Sequence, residues 1–508
     1  MISKKLSICF LLILVLGQLG YSQTAAQKLD QYIEKTRNDW NVPGLSITVV
    51  KEDKVLFAKG YGVREIGKND PVDIKTLFGA MSTTKAMTVA ALAMLVDEGK
   101  VKWDDKVITH LPGFKVADPY VTKELKIRDL LTHNAGLGNA DHLWGWTPSM
   151  PADQVVSKMQ YAKPAYSFRD GFVYQNIMYL VAGQVIERIS GKSWEEFLKE
   201  RLFEPLGMKN TYATYGLSTG YQNRSIAHFE LDGKIQPISE SLADQIGPAG
   251  SVWSTADDIG KWVSFMLGST TVNGKQLLKP ETYREILKPH VIIPTKDFYP
   301  TTAVTKPKWT TYGLGWFQHD YRGEMVNFHT GSLAGRTAII GLLTDKKVGV
   351  YVFGNLDHAE VRHALMYKVF DLFAFDDDSR DWSAELLTLY KGLKEKAEKT
   401  AKTVEGLRQK NTKPSLKATD YEGRYQDPFY GDVEINSLNG KMRIIMSPEV
   451  QGEIKHWHFD TFEVTWDTKW WGKSLIAFEL NPLTRKVTAI KFAGIEFVRA
   501  ADSKPAEK

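Results

Sequence analysis

Residues 81–97 carry Ala, Met, Val and Leu on every face of a helical wheel, and the run stops near Gly99. A helix that is apolar all round has no side to turn to water, so it must be covered by other elements on every side. The chain has the length to supply that cover: 508 residues correspond to two or three domains at roughly 100–200 residues each. With 43% hydrophobic and 25% charged residues, the composition is that of a globular protein. Lys plus Arg (65) nearly balance Asp plus Glu (60), for a net charge of +5. Neither nucleic acid nor an anionic membrane is called for as a partner.

The covering elements can be read on both sides of the buried helix. Residues 26–40 have the pattern of an amphipathic helix, and 45–50 and 55–62 are strands joined by the polar turn Lys51-Glu52-Asp53-Lys54. Helical patterns dominate from 104 to about 267, including 176–189 and 193–202. Strands return after Tyr312, at 324–329, 338–343 and 348–353, and an amphipathic helix follows at 357–373. This order predicts one antiparallel sheet assembled from both chain ends beside a helical lobe, with a site between them. Residues 376–419 turn charged and Lys-rich and form a helical linker. Residues 420–500 are short strands with turns at Asn439-Gly440 and Asn481-Pro482, the pattern of a separate small β-barrel, and residues 501–508 are a tail. The tryptophans Trp466, Trp470 and Trp471 suit its core better than a ligand platform. His456 and His458 share a strand face but lack a third ligand, so no metal is expected.

At the other end, Lys4 and Lys5 precede an apolar run at 6–16 and the small residues of Gly20-Tyr21-Ser22. Residues 1–22 therefore read as a signal peptide, and 23–375 as the main domain of a secreted or periplasmic protein with no stable membrane anchor. Cys9, the one cysteine, leaves with the leader, so disulfides and thiolate chemistry are not expected.

Ser82-Thr83-Thr84-Lys85 is the one Ser-x-x-Lys in the sequence. By itself it is a weak signal, since about two such matches are expected by chance in a chain of this composition. Its position is informative. Ser82 opens the buried helix, at the positive end of its dipole, and Lys85 lies one turn on, on the same face. Burial disfavours a charged lysine, and a neutral amine can take a serine proton.

Tyr174-Gln175-Asn176 opens a second helix, and His329-Thr330-Gly331 ends a strand at the mouth of the expected cleft. With the Ser-x-x-Lys they stand in the order and spacing of the serine β-lactamase and penicillin-binding protein superfamily, and the sequence resembles its class C β-lactamase and D-alanyl-D-alanine carboxypeptidase branch. Leu130-Leu131-Thr132-His133-Asn134-Ala135-Gly136-Leu137 and Ala249-Gly250-Ser251-Val252-Trp253-Ser254-Thr255-Ala256-Asp257-Asp258 resemble two further stretches of that branch, and the likeness covers residues 26–373. It implies an α/β β-lactamase/transpeptidase-like fold followed by a small, lipocalin-like β-barrel. It also implies Ser82 as acylated nucleophile, Lys85 as its base, Tyr174 as phenolate or proton shuttle, and Asn176 as a donor to a substrate carbonyl. The backbone N–H groups of Ser82 and Ser332 would form an oxyanion hole beside Thr330 and Gly331. His133 is assigned to holding its loop together.

The sequence departs from the lactamase pattern where His329 replaces the lysine of Lys-Thr-Gly. Histidine is mostly neutral at pH 7, with an ordinary pKa of about 6.5. Arg336, in the turn after the motif strand, is the candidate for reading a substrate carboxylate in its place, with His329 helping once protonated. The expected protein is a cofactor-free serine hydrolase acting on a small-molecule or peptide substrate. A peptidase for short or D-amino-acid-containing peptides is favoured over an esterase or a β-lactamase, and a non-catalytic peptide or peptidoglycan sensor is the alternative outside the class. No oligomeric state follows from the sequence.

Overall fold

The computed structural model describes residues 23–501 apart from Asn439. The expected signal peptide, the tail beyond 501 and Asn439 of the expected turn lie outside the described residues. Helix α1 (Ala25–Asp39) leads into the hairpin β1 (Gly44–Lys51) and β2 (Lys54–Gly62). The lobe contains α2 (Thr84–Asp97), the short α3 (Asp141–Trp146), α4 (Asn176–Ser190) and α5 (Ala256–Met266). The chain returns through β3 (Val291–Ile292), β4 (Thr310–Tyr312), β5 (Phe317–Tyr321), β6 (Glu324–Leu333), β7 (Arg336–Leu343) and β8 (Val348–Gly354), and closes with α6 (Val361–Ala374) and α7 (Trp382–Gly406). The eight strands form one antiparallel sheet in the order β2-β1-β8-β7-β6-β5-β4-β3, so the N-terminal hairpin pairs with the C-terminal strands.

Alternation along the central strands sorts side chains into two cores. Ala338, Ile340 and Leu342 of β7 face the lobe and α2, whereas Ile339 and Leu343 face α1 and α6. Both faces are covered, which is why β7 is buried at every position from Arg336 to Leu343. Helix α6, expected to be amphipathic, is buried on all sides from Val361 to Phe373. Sheet lies on one side of it and α1 and α7 on the other, and its polar members Arg362, Lys368 and Asp371 are paired internally. Among the described residues, no helix is long and apolar enough to cross a membrane.

After α7 the chain forms a closed eight-stranded barrel: β9 (Gly423–Asp427), β10 (Gly431–Leu438), β11 (Lys441–Ile445), β12 (Gln451–His458), β13 (Thr461–Trp466), β14 (Lys473–Leu480), β15 (Val487–Phe492) and β16 (Ile495–Arg499). Its strands run up and down, so the connections at 428–430, 446–450, 467–472 and 493–494 lie at one end. That end meets the lobe, and the two parts insert into each other. Trp146, the last residue of α3, is a member of the barrel core, 5.1 Å from Phe492. Phe429, from the barrel, is buried in the core of the lobe. Ser149 Oγ donates to Glu449 Oε1 (2.6 Å) and Lys158 Nζ to the Pro428 carbonyl (3.1 Å).

Trp146→Ala removes a large side chain from a core it shares across the interface, and should cost about 3–5 kcal/mol, the usual range for such truncations. Chemical denaturation followed by barrel tryptophan fluorescence should register the loss, and Trp146→Phe should recover much of it.

Candidate active site

A 3-10 turn, Met81–Thr83, precedes α2, so Ser82 sits just ahead of the α-helix and not within it. Met81 takes a left-handed backbone (φ 47°), a conformation that costs a non-glycine residue about 1–2 kcal/mol. The surrounding contacts hold the turn. The Ala80 N–H donates to the Val252 carbonyl (2.7 Å), Thr84 Oγ1 accepts from the Val252 N–H (3.2 Å), and Thr83 Oγ1 meets Tyr351 Oη (2.5 Å). From the sheet side, Gly331 presses against it: a Cβ there would stand 2.4 Å from the Ala80 carbonyl oxygen and 3.1 Å from the Ser82 nitrogen. The His329-Thr330-Gly331 motif does not end its strand as expected. β6 runs on to Leu333, paired with β7 through Leu333↔Arg336, while its pairing with β5 stops at Phe317↔Phe328. Residues 329–333 thus pass the end of β5 and lie against the Ser82 turn.

Lys85 is completely buried. Its Nζ lies 3.1 Å from Ser82 Oγ, 2.7 Å from Asn176 Oδ1 and 2.8 Å from the Ala249 carbonyl. Desolvation brings its pKa down to about 7, against the opposing pull of the Asp141 carboxylate. A neutral amine in this place can donate to Asn176 and Ala249 and still accept the Ser82 proton. Asn176 is committed to this network: its Nδ2 donates to Asp141 Oδ1 (2.8 Å) while its Oδ1 serves Lys85. The amide expected to meet a substrate carbonyl also links Lys85 to Asp141, and its residue lines the cleft.

Tyr174 is held between aromatic rings, with His133 4.3 Å away on one side and Phe317 parallel to it at 6.3 Å. Lys85 Nζ stands 4.8 Å from the centre of its ring. Its hydroxyl is buried without a hydrogen-bond partner. Burial holds its pKa well above the ordinary phenol value, with the Ser82 hydroxyl beside it opposing, so the resting group is a phenol.

Behind it runs a chain of histidines. The Gln175 N–H donates to His133 Nδ1 (3.0 Å), which leaves the His133 proton on Nε2, 3.1 Å from Tyr312 Oη. His329 Nδ1 donates to the Thr330 carbonyl (2.7 Å), so its Nε2 accepts from Tyr312 Oη (3.0 Å). Burial, reinforced by Lys85, takes the His329 pKa down to about 3. The expectation that His329 charges near pH 6.5 and helps to bind a carboxylate is therefore overturned. Its environment lacks an anion, and both ring nitrogens are occupied in the neutral form.

Arg336 is also corrected. It opens β7 and is 2% exposed, and its guanidinium pairs with Glu240 in a two-pronged contact and donates to the Ser225 carbonyl (2.7 Å). The fork expected over the cleft lies over the Trp253 ring, 4.8 Å from its centre, away from the cleft lining. A different arginine supports the motif strand: Arg362 donates to the Gly331 carbonyl and to Ser332 Oγ.

Ser82, Tyr174, Asn176, Thr330 and Ser332 line one cleft of about 570 Å³, with Lys85 beneath it. Two carboxylates, Asp141 and Asp297, also line it, whereas among the described residues no lysine or arginine does. Asp141, Tyr312 and Arg362 escaped sequence reasoning because no local motif marks them.

A family model described as Beta-lactamase matches residues 29–371. The chain belongs to the Beta-lactamase family. A second model, a domain of unknown function (DUF3471), matches residues 407–505, which include the barrel. The chain is 27% identical to Unguisins hydrolase ungD' of Aspergillus campestris (strain IBT 28561), over 80% of this chain and 77% of that protein. It is 26% identical to Protein flp of Staphylococcus aureus (strain MW2), over 65% of this chain, and spans 63% of flp. The octameric penicillin-binding protein homologue from Pyrococcus abyssi has the same fold, with a TM-score of 0.59 at 21% identity over 93% of this chain and 99% of that one. Family and fold together make this Beta-lactamase family member a serine hydrolase.

Because the Ser82 turn rests on Gly331, Gly331→Ala should leave the far-ultraviolet circular dichroism spectrum unchanged and lower the rate of fluorophosphonate labelling by about a hundredfold, the scale of a misplaced reacting group. Arg336→Ala should destabilise the protein by about 1–3 kcal/mol, because it leaves the Ser225 carbonyl without its donor and breaks the pairing with the partly exposed Glu240. Free-carboxylate and amide-capped peptides should be affected equally.

Proposed function

We propose that this chain is an exported peptidase that cleaves a peptide-like amide through an acyl-enzyme on Ser82. The observation that carries the reading is the placement of the Lys85 amine, near neutral pKa, within hydrogen-bonding distance of the Ser82 hydroxyl. Neutral Lys85 takes the Ser82 proton as Oγ attacks the carbonyl carbon, and the oxyanion is received by the backbone N–H groups of Ser82 and Ser332. The tetrahedral intermediate collapses as Tyr174 gives its phenolic proton to the leaving nitrogen, so the C–N bond breaks and the Ser82 ester forms. That leaves a Tyr174 phenolate beside the Lys85 ammonium, an ion pair that offsets the burial of each charge. The phenolate takes a proton from water as its oxygen attacks the ester. Ser82 leaves with the proton held by Lys85, and both residues return to their resting forms.

The relatives named hydrolases of unguisins support hydrolysis in general, and the preference for short or D-amino-acid-containing peptides rests on the resemblance to carboxypeptidases. With two carboxylates and no cation in the lining, the cleft suits an uncharged or cationic group next to the scissile bond better than a free carboxylate. Export rests on the leader read at residues 1–22.

Two measurements test the proposal. Fluorophosphonate treatment followed by peptide mass spectrometry should place the adduct on Ser82, and an adduct only elsewhere would sink the reading. A plot of kcat/KM against pH should rise through a limb near 7, since Lys85 must be neutral to act and is protonated below that pH. Asp141 raises the Lys85 pKa, so Asp141→Asn should move the limb to lower pH. A limb that stays in place would show that Lys85 is not the titrating base.

A further inference from the structure

His142 has two exposures. On one side it lines the catalytic cleft; on the other it lines a second hollow, of about 520 Å³, between α3 and the end of the barrel. The walls of that hollow are Trp146, Trp466, Trp471, Leu475 and Phe492, and no charged residue is among them. Its one hydroxyl, Ser474 Oγ, is already occupied as the acceptor for Trp466 Nε1 (3.0 Å). Trp466 is buried in the barrel core, as its sequence context suggests, but Leu475 remains 37% exposed and Trp471 is only half-buried. The two indole rings stand edge to face, 5.7 Å apart, presenting an apolar corner of the kind that receives another ring.

The dividing wall is thin. The His142 ring stacks on Trp146 at 4.3 Å with a 10° interplanar angle, and one helical turn, about 6 Å, separates the two residues along α3. Because His142 lines both the cleft and the hollow, an extended peptide that runs from Ser82 past His142 enters the hollow. We propose that the hollow is a distal subsite, one that takes an apolar and preferably aromatic side chain of the peptide whose scissile bond lies at Ser82. The proposal rests on the peptidase reading and adds to it a role for the barrel, which supplies the selective wall while the hydrolase supplies the chemistry.

The test uses the full chain carrying Ser82→Ala, so that binding is measured without turnover. Capped oligoalanine peptides with a single Phe at successive positions are titrated by calorimetry. One Phe position should bind about tenfold more tightly than the all-alanine peptide, and Trp471→Ala and Leu475→Ser should each abolish that preference. In the chain with Ser82 intact, the same two substitutions should leave the fluorophosphonate labelling rate unchanged, because neither residue lines the cleft that holds Ser82. Absence of any positional preference, or its survival in both variants, overturns the proposal. So does loss of labelling together with the preference in both variants, since that is the mark of a disturbed fold. Should the unmodified chain fail to label at Ser82 while the Phe preference holds and depends on Trp471 and Leu475, the serine mechanism falls and the subsite stands.

Discussion

A lysine with no exposed surface, on a helix whose neighbours are Ala, Met, Val and Leu, is the constraint around which this structure is arranged. An unpaired buried ammonium costs several kcal/mol, and the fold meets that cost with one local acceptor and two distant ones: Ser82 one turn before, Asn176 from the start of α4, and the Ala249 carbonyl. The last two cannot serve Lys85 until α4 and the Ala249 turn are packed against α2. The requirement to satisfy one buried amine thus also assembles the site. A lysine so placed is poised between its two charge states, because desolvation opposes the charge and Asp141 supports it.

The same logic explains what was legible in the sequence. Ser82 and Lys85 could be found because they share a face at a helix start, where local geometry decides which side chains meet, and Tyr174 and Asn176 through the resemblance of Tyr174-Gln175-Asn176 to a family motif. The sheet could be found because strand periodicity survives on both sides of the lobe. Asp141, Tyr312 and Arg362 could not, since each acts through a tertiary contact: Asp141 on Asn176, Tyr312 between two histidines, Arg362 on the carbonyl of Gly331. The errors have the same origin. Arg336 and His329 were assigned to solvent-facing roles from their residue types, but the pairing of β6 with β7 carries Arg336 into a buried strand, and aromatic cover removes His329 from water.

The barrel is tied to this centre by a short route. Helix α3 has Asp141 at one end and Trp146 at the other. Asp141 holds the amide that holds Lys85, and Trp146 is part of the barrel core. Six residues of helix therefore connect the charge balance of the site to the packing of a domain that contributes no residue to the lining of the catalytic cleft. An isolated helix of this length is not stable in water, because nucleation is costly and there is too little helix to recover it. Its conformation must come from what it packs against, and at its C-terminal end that is the barrel.

This dependence bears on why a hydrolase domain with its own core carries a second domain. Were the barrel a tethered passenger, its contacts with the lobe would be polar and peripheral, as those between mobile domains usually are. Here each partner buries an aromatic side chain in the core of the other, Trp146 in one direction and Phe429 in the reverse. Separating the two would expose both rings and open both cores, so the barrel and the lobe share a common stability. Whatever order α3 gains from the barrel passes to Asp141, and from there through Asn176 to Lys85. A residue whose charge state depends on small changes in its surroundings is thereby held in an environment that two domains, and not one, keep fixed.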